Sequence, residues 1–255
     1  MPGSASEQRA KMMLEEPISK VIPRLALPTI VSMLISSVYN MADTYFVSQI
    51  GTSASGAVGV IFSAMSLIQA VAFMFGMGAG TNVSQALGAR DEERAQRFAA
   101  TSFFTAFATG ILIAVVCNLS IDPLVRFLGA TETIAPYAKD YASYIFYAAP
   151  FMMCSFVMNN LLRFEGLAFY GMIGIASGGV LNMVLDPLLI FGLNLGTAGA
   201  AIATAISQVV SFCILLTMTN RRAGAIPIRF RDFTPKWSFY KRILYNGFPS
   251  LGRLG

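Results

Sequence analysis

Asp43 and Asp186 are the sole charged residues in two apolar stretches, residues 25–48 and 166–220, long enough to cross a bilayer. A charge at the centre of such a helix costs about 2.5–3.5 kcal/mol to insert, so an acid kept there is a candidate for binding or relaying a cation. Asn182 precedes Asp186 by one helical turn, so its amide projects from the same face and can hydrogen-bond the acid in either charge state. Pro187 follows directly; it removes a backbone donor and weakens the helical ladder beside the acid, as Pro28 is expected to do in the first stretch. With no His in the chain, proton chemistry falls to carboxylates. No P-loop, nucleophile elbow or zinc motif is present, so no catalytic residue, metal site or bound cofactor is expected. Gly76-Met77-Gly78-Ala79-Gly80 has the look of a dinucleotide loop, yet no strand precedes it and no acid follows at the required place; close helix packing explains it, as it does Gly174 with Gly178.

The elements that must position these acids follow from composition. Of 255 residues, 55% are hydrophobic and only 12% charged, and the mean hydropathy is +0.63. A soluble domain is roughly 45–50% apolar and about 25% charged, so an all-α membrane protein is indicated. A spanning helix needs about 20 mainly apolar residues, and six segments qualify: about 25–48, 57–80, 98–121, 141–162, 169–191 and 198–220. The Gly192, Gly196 and Gly199 cluster divides the last two. The three cysteines, Cys117, Cys154 and Cys213, lie in apolar runs without CxxC spacing and read as core packing. No short apolar region with a small-residue cleavage pattern is evident near the start, so insertion is expected to rely on the first helix.

Six spans place alternate loops on opposite sides. Of the 18 Lys and Arg residues, only Arg126 and Lys139 fall on the side away from the N-terminus. That asymmetry predicts a cytoplasmic N-terminus in a multi-pass protein, taken to be of the plasma membrane. The basic charges alternate with apolar segments instead of forming one face, which argues against nucleic acid as a partner and for the lipid bilayer. The chain divides into an N-terminal segment (1–24), a six-helix lobe (25–220), a basic aromatic connector (221–245) and the start of a seventh helix (246–255). The connector's rings and cations are expected at the headgroup level. Ile22 to Thr29 aligns with Ile243 to Ser250, each with a proline opening an apolar run after basic residues. Because six is even, a second unit beginning there would be a parallel repeat.

In this frame Asp43 lies about five residues before the outer end of its span, and Asp186 nearly the same. At about 1.5 Å per residue both sit some 7 Å below the outer surface. If their helices are neighbours the two carboxylates can share a proton, since like charges a few ångströms apart do not both ionise easily; the alternative is that each snorkels to the interface. Thr204 lies near the same depth with Gln208 one turn beyond, and Tyr141 opens the fourth span on the outer side. Ordinary interhelical hydrogen bonding explains these more readily than a site does. Asn159 is about 27 Å further along the helix than Tyr141, too far to share its carboxylate.

Four phrases together resemble multidrug and toxic compound extrusion (MATE) transporters. They are NMADTYFV (Asn40 to Val47) with Gly51, NNLLRFEG (Asn159 to Gly166), LNMVLDPL (Leu181 to Leu188) and GTAGAAIAT (Gly196 to Thr204), covering the chain from about Ile18 to its end. The resemblance implies the N-terminal lobe of a two-lobe antiporter that exports cationic or amphipathic drugs in exchange for H⁺ or Na⁺. It implies that Asp43 and Asp186, supported by Tyr141, Asn182 and Thr204, hold the coupling ion, that Asn159 is a peripheral member and that the first helix bends at Pro28. The family chain is nearly twice as long, so a C-terminal lobe is an expected partner. Two other readings are a flippase for lipid-linked saccharides and a membrane-embedded enzyme or non-transporting subunit. The first calls for basic residues in the spans and the second for a nucleophile or metal partner; neither is apparent. Reporter fusions test the topology: at residue 15 and at residue 236 a fused fluorescent protein is expected to fluoresce and a fused alkaline phosphatase to be inactive. Phosphatase activity at either position would refute it.

Overall fold

The computed structural model describes residues 15–221 and 226–253. Six helices among them are long and apolar enough to cross a membrane. They are α1 (Ile18–Ser48), α2 (Thr52–Gly88), α3 (Glu92–Leu119), α5 (Ala135–Phe164), α6 (Ala168–Pro187) and α7 (Gly196–Arg221), with a short α4 (Ile121–Phe127) between α3 and α5. A π-helical turn, Leu188–Gly192, prolongs α6. A helix α8 (Trp237–Gly247) and a 3₁₀ turn (Phe248–Arg253) end the described chain. No strand occurs among the described residues, so the all-α class stands. The segment before residue 15, residues 222–225 of the expected connector and residues 254–255 lie outside the described residues.

Helix α5 is the hub. In its most apolar stretch 78% of residues are buried, against 39–44% for α2, α3, α6 and α7 and none for α1. Its core face repeats at helical spacing through Ala138, Ala142, Ile145, Ala149, Met152 and Met153, all buried. Elsewhere the bundle shows Leu67, Leu112, Val184 and similar side chains outward, the surface expected where lipid replaces water. Small residues set the approach of helices. A side chain on Gly110 of α3 would meet the Pro150 backbone of α5 at 2.5 Å, and one on Gly80 of α2 would meet the Phe164 ring at 2.2 Å. Gly174 and Gly178 likewise admit Leu215 and Ser211 of α7. The glycine-rich run in α2 is therefore a packing surface.

Several element bounds differ from the sequence expectation. Helix α1 begins at Ile18 rather than Leu25, since its first turns need no apolar face: Ile18 and Ile22 are both exposed. Helix α5 begins at Ala135, six residues early, because Ala135 and Ala138 continue its buried stripe while Lys139 pairs with Asp122 of α4. The seventh helix starts at Trp237, not 246, so much of the expected connector is helical. Its rings do not all lie at the surface. Phe239 packs 4.5 Å from Phe98, and Phe233 lies 5.9 Å from Phe104, while Trp237 and Tyr245 are exposed. Of the cysteines only Cys154 is core; Cys117 is half-buried and Cys213 exposed. An exposed thiol on a spanning helix costs nothing in lipid, so the apolar run alone could not distinguish core from lipid face.

The Gly110 contact generates a test. Gly110→Val must separate α3 from the α5 backbone and is expected to destabilise the lobe by about 1–3 kcal/mol. Gly59→Ala, with no atom within 4 Å of the new carbon, is expected to change nothing. Thermal unfolding of both variants in detergent reads the difference, and an unshifted Gly110→Val would overturn the packing assignment.

Candidate cation site

Helix α1 lies mainly on α6, and of its described side chains only Asp43 and Val47 are buried. The contact is close because α6 carries Gly179, where a side chain would come within 3.0 Å of the Tyr39 ring. This seats Asp43, one turn after Tyr39, against the outer ends of α5 and α6. The Tyr141 hydroxyl, from the start of α5, donates to Asp43 Oδ2 at 3.4 Å. The Asn182 amide of α6 uses both hydrogens: it donates to Asp186 Oδ1 at 3.2 Å and to Thr204 Oγ1 of α7 at 3.3 Å. Asp186 is fully buried, and Asn182, Thr204 and Tyr141 nearly so.

The oxygens left over define the chemistry. Asp43 Oδ1, Asp186 Oδ2 and Asn182 Oδ1 are buried with no hydrogen-bond partner among the described residues. Neither acid forms an ion pair there. The two carboxylates lie close enough to interact electrostatically, and Tyr141 interacts with both. A buried acceptor without a donor costs about 1–3 kcal/mol, more when charged. Such a group of oxygens is chemically suited to a positive species, either a proton or a small hard cation that prefers oxygen ligands. Directly beyond Asp186, Pro187 is followed by the π-helical turn. The missing Pro187 N–H lets the ladder widen there, as the sequence suggested.

Five expected residues, Asp43, Asp186, Asn182, Tyr141 and Thr204, thus form two hydrogen-bonded groups joined electrostatically. Asn159 is not among them. Its amide packs at the inner ends of the helices, where a side chain on Gly171 would meet it at 2.8 Å, as the length of α5 between Tyr141 and Asn159 dictates. Pro28 lies within an α1 that is helical throughout from Ile18 to Ser48, and its carbonyl accepts from Ser32 Oγ at 2.9 Å. Tyr39 was not singled out by the sequence, although its position one turn before Asp43 was signal enough. Ser155 and Ser207, both buried without partners, were also missed; a serine in an apolar helix is too common to stand out.

Six spanning helices that bring together two buried carboxylates, with no ion pair to either among the described residues, have the build of a membrane transporter lobe. The MatE family model matches residues 28–188, and the chain belongs to that family. It is 28% identical over 237 residues to the multidrug export protein MepA of Staphylococcus haemolyticus, and 27% identical over 237 residues to MepA of Staphylococcus aureus. Each match covers 92% of this chain and 52% of the relative. Among solved structures, a MOP superfamily transporter from Pyrococcus furiosus, reported with a binding pocket of reverse polarity suggesting a different function, superposes with a TM-score of 0.87 at 33% identity. A multidrug resistance MATE transporter in an outward-facing conformation gives the same TM-score and identity. Both cover 95% of this chain and 54% of the matched one. These relatives are transporters, not enzymes, and the chain spans about half their length, as an N-terminal half does.

The double donation by Asn182 yields a prediction. Asn182→Leu leaves Asp186 Oδ1 without a donor, and the lobe is expected to lose about 1–3 kcal/mol of stability, read as an earlier midpoint on unfolding by sodium dodecyl sulfate. An unchanged midpoint would show that the amide does not hold the acid.

Proposed function

We propose that this chain is the cation-binding N-terminal lobe of a multidrug efflux antiporter, which exports cationic or amphipathic compounds against an inward flow of H⁺ or Na⁺. Asp43 and Asp186 take up the coupling ion, Tyr141 orients Asp43, and Asn182 orients Asp186 while Thr204 holds the amide. The single observation that carries this reading is the pair of buried carboxylates, each with one unpartnered oxygen and no ion pair among the described residues. Only one ion need enter to relieve both. The relation to MepA supports drug export, and the half-length match supports a second lobe as the obligatory partner, with the drug path between lobes. The Lys and Arg distribution supports a cytoplasmic N-terminus in the plasma membrane. Pro28, which lacks a backbone donor within α1, is the proposed point at which that loosely buried helix bends when the ion binds.

The test is drug efflux by the two-lobe protein in cells lacking their own exporters. Asp43→Asn and Asp186→Asn are each expected to reduce efflux to the level of the empty vector, whereas Asp43→Glu retains part of it. Efflux that survives in both asparagine variants would remove the acids from coupling.

A further inference from the structure

Helix α8 (Trp237–Gly247) presents two unlike faces. One is packed on the lobe. Phe239 lies 4.5 Å from the Phe98 ring of α3, and the Tyr240 hydroxyl is 3.5 Å from Thr105 Oγ1. Ile243 and Gly247 are buried against α2, where a side chain on Gly78 would strike the Ile243 carbonyl and one on Gly247 would strike that of Met74. On the other face Trp237, Lys241 and Tyr245 are exposed at every fourth position, with Ser238 and Arg242 beside them. The stripe is about 12 Å long at 1.5 Å per residue. Trp237 is 75% and Tyr245 80% exposed, so nothing in the described lobe covers these rings.

The packed face fixes the depth of the exposed one. From Ile243 to Gly247 the partner on α2 moves back from Gly78 to Met74, so α8 runs opposite to α2 and enters the bilayer from the side of the N-terminus. The Arg242 carbonyl accepts from Asn82 Nδ2 at 3.4 Å, and Asn82 lies just past residue 80, the expected inner end of the α2 span. Lys241 and Arg242 therefore stand at the edge of the hydrocarbon layer. Trp237 is about 6 Å further toward the aqueous side than Lys241, and Tyr245 about 6 Å deeper. Trp and Tyr favour this boundary, because the ring is apolar and its N–H or O–H finds a partner there.

Charge decides what the face meets. Arg229, Arg231, Lys236, Lys241 and Arg242 are all exposed. Asp232 is the sole acid from residue 226 to residue 253 and lies 3.8 Å from Arg231. The other four cations have no ion pair among the described residues. A zwitterionic headgroup brings no net charge to balance them, whereas an anionic one does, and each Lys or Arg near an anionic surface strengthens binding roughly fivefold. A nucleic acid or a soluble acidic protein would meet the cations but not Tyr245, which lies inside the hydrocarbon edge.

We propose that Trp237, Lys241, Arg242 and Tyr245 of α8 form a binding surface for anionic phospholipid headgroups in the leaflet on the side of the N-terminus. Lys241 and Arg242 meet the phosphate, and the two rings lie along the lipid on either side of them. The proposal does not depend on the antiport reading.

Trp237 is the one tryptophan of the chain, so its fluorescence reports the site directly. The full chain is reconstituted in phosphatidylcholine vesicles containing a minor fraction of either brominated phosphatidylglycerol or brominated phosphatidylcholine, with bromine near the carbonyl end of the acyl chains. The anionic lipid is expected to quench Trp237 as though its local concentration were at least about fivefold higher, and added salt is expected to reduce that preference. Lys241→Gln combined with Arg242→Gln is expected to bring the two lipids level. Arg90→Asn, which removes a charge from the α2–α3 turn and tolerates the positive φ there, is expected to leave the preference in place. Equal quenching by the two lipids in the unaltered chain overturns the proposal, as does a preference that the double variant keeps or that Arg90→Asn abolishes. Absence of quenching by either lipid would mean that protein, such as a second copy of the chain, covers the face, and overturns it equally. The first comparison uses the unaltered chain and so stands even if a variant fails to insert.

Discussion

The structure depends on one contact, between a helix that buries almost nothing and the acid it carries. Helix α1 leaves its apolar side chains exposed or half-buried apart from Val47, and buries only Asp43 and Val47 among its described residues. Helices in a bilayer gain little from apolar contact with one another, because lipid is as apolar as leucine. The seating of α1 is then set by small-residue packing at Gly179 and by the polar contact of Asp43 with Tyr141. A change in the charge carried by Asp43 would act on one of the few polar contacts of this helix, so under the proposed function ion binding and helix position would be linked.

The remaining helices make the opposite arrangement. Helix α5 is enclosed by its neighbours, and the glycines of α2, α3 and α6 bring backbones close enough that an added carbon would collide with them or with side chains. This rigid part holds Tyr141, Asn182, Asp186 and Thr204 in place. The least enclosed of the six spanning helices is α1, and the π-helical turn beyond Pro187 continues α6 past the acid.

Much of this was legible in the residues. Six apolar stretches, an intramembrane acid in two of them and an amide one turn before Asp186 led directly to the bundle and to the Asn182–Asp186 bond. A common depth for the acids followed from counting residues, because span ends are set by bilayer thickness. What was not legible is which way each face turns. Cys213 and Cys154 occupy equally apolar surroundings in sequence, yet one faces outward and one the core. In water, polar residues mark the outside of a helix; in lipid they do not, so Ser155 and Ser207 looked like neutral filling until the fold buried them. Asn159, carried by resemblance into the ion group, is excluded by helix length alone.

The central claim, that Asp43 and Asp186 act as one cation-binding unit, is tested most directly by infrared difference spectroscopy of the purified chain in lipid, on exchange of the coupling ion. Titrating H⁺ against Na⁺ is predicted to change a carboxylic-acid carbonyl band, and either Asp43→Asn or Asp186→Asn alone is predicted to abolish the change. A band that persists unaltered in one of the two variants would show that the acids bind independently and would contradict the account.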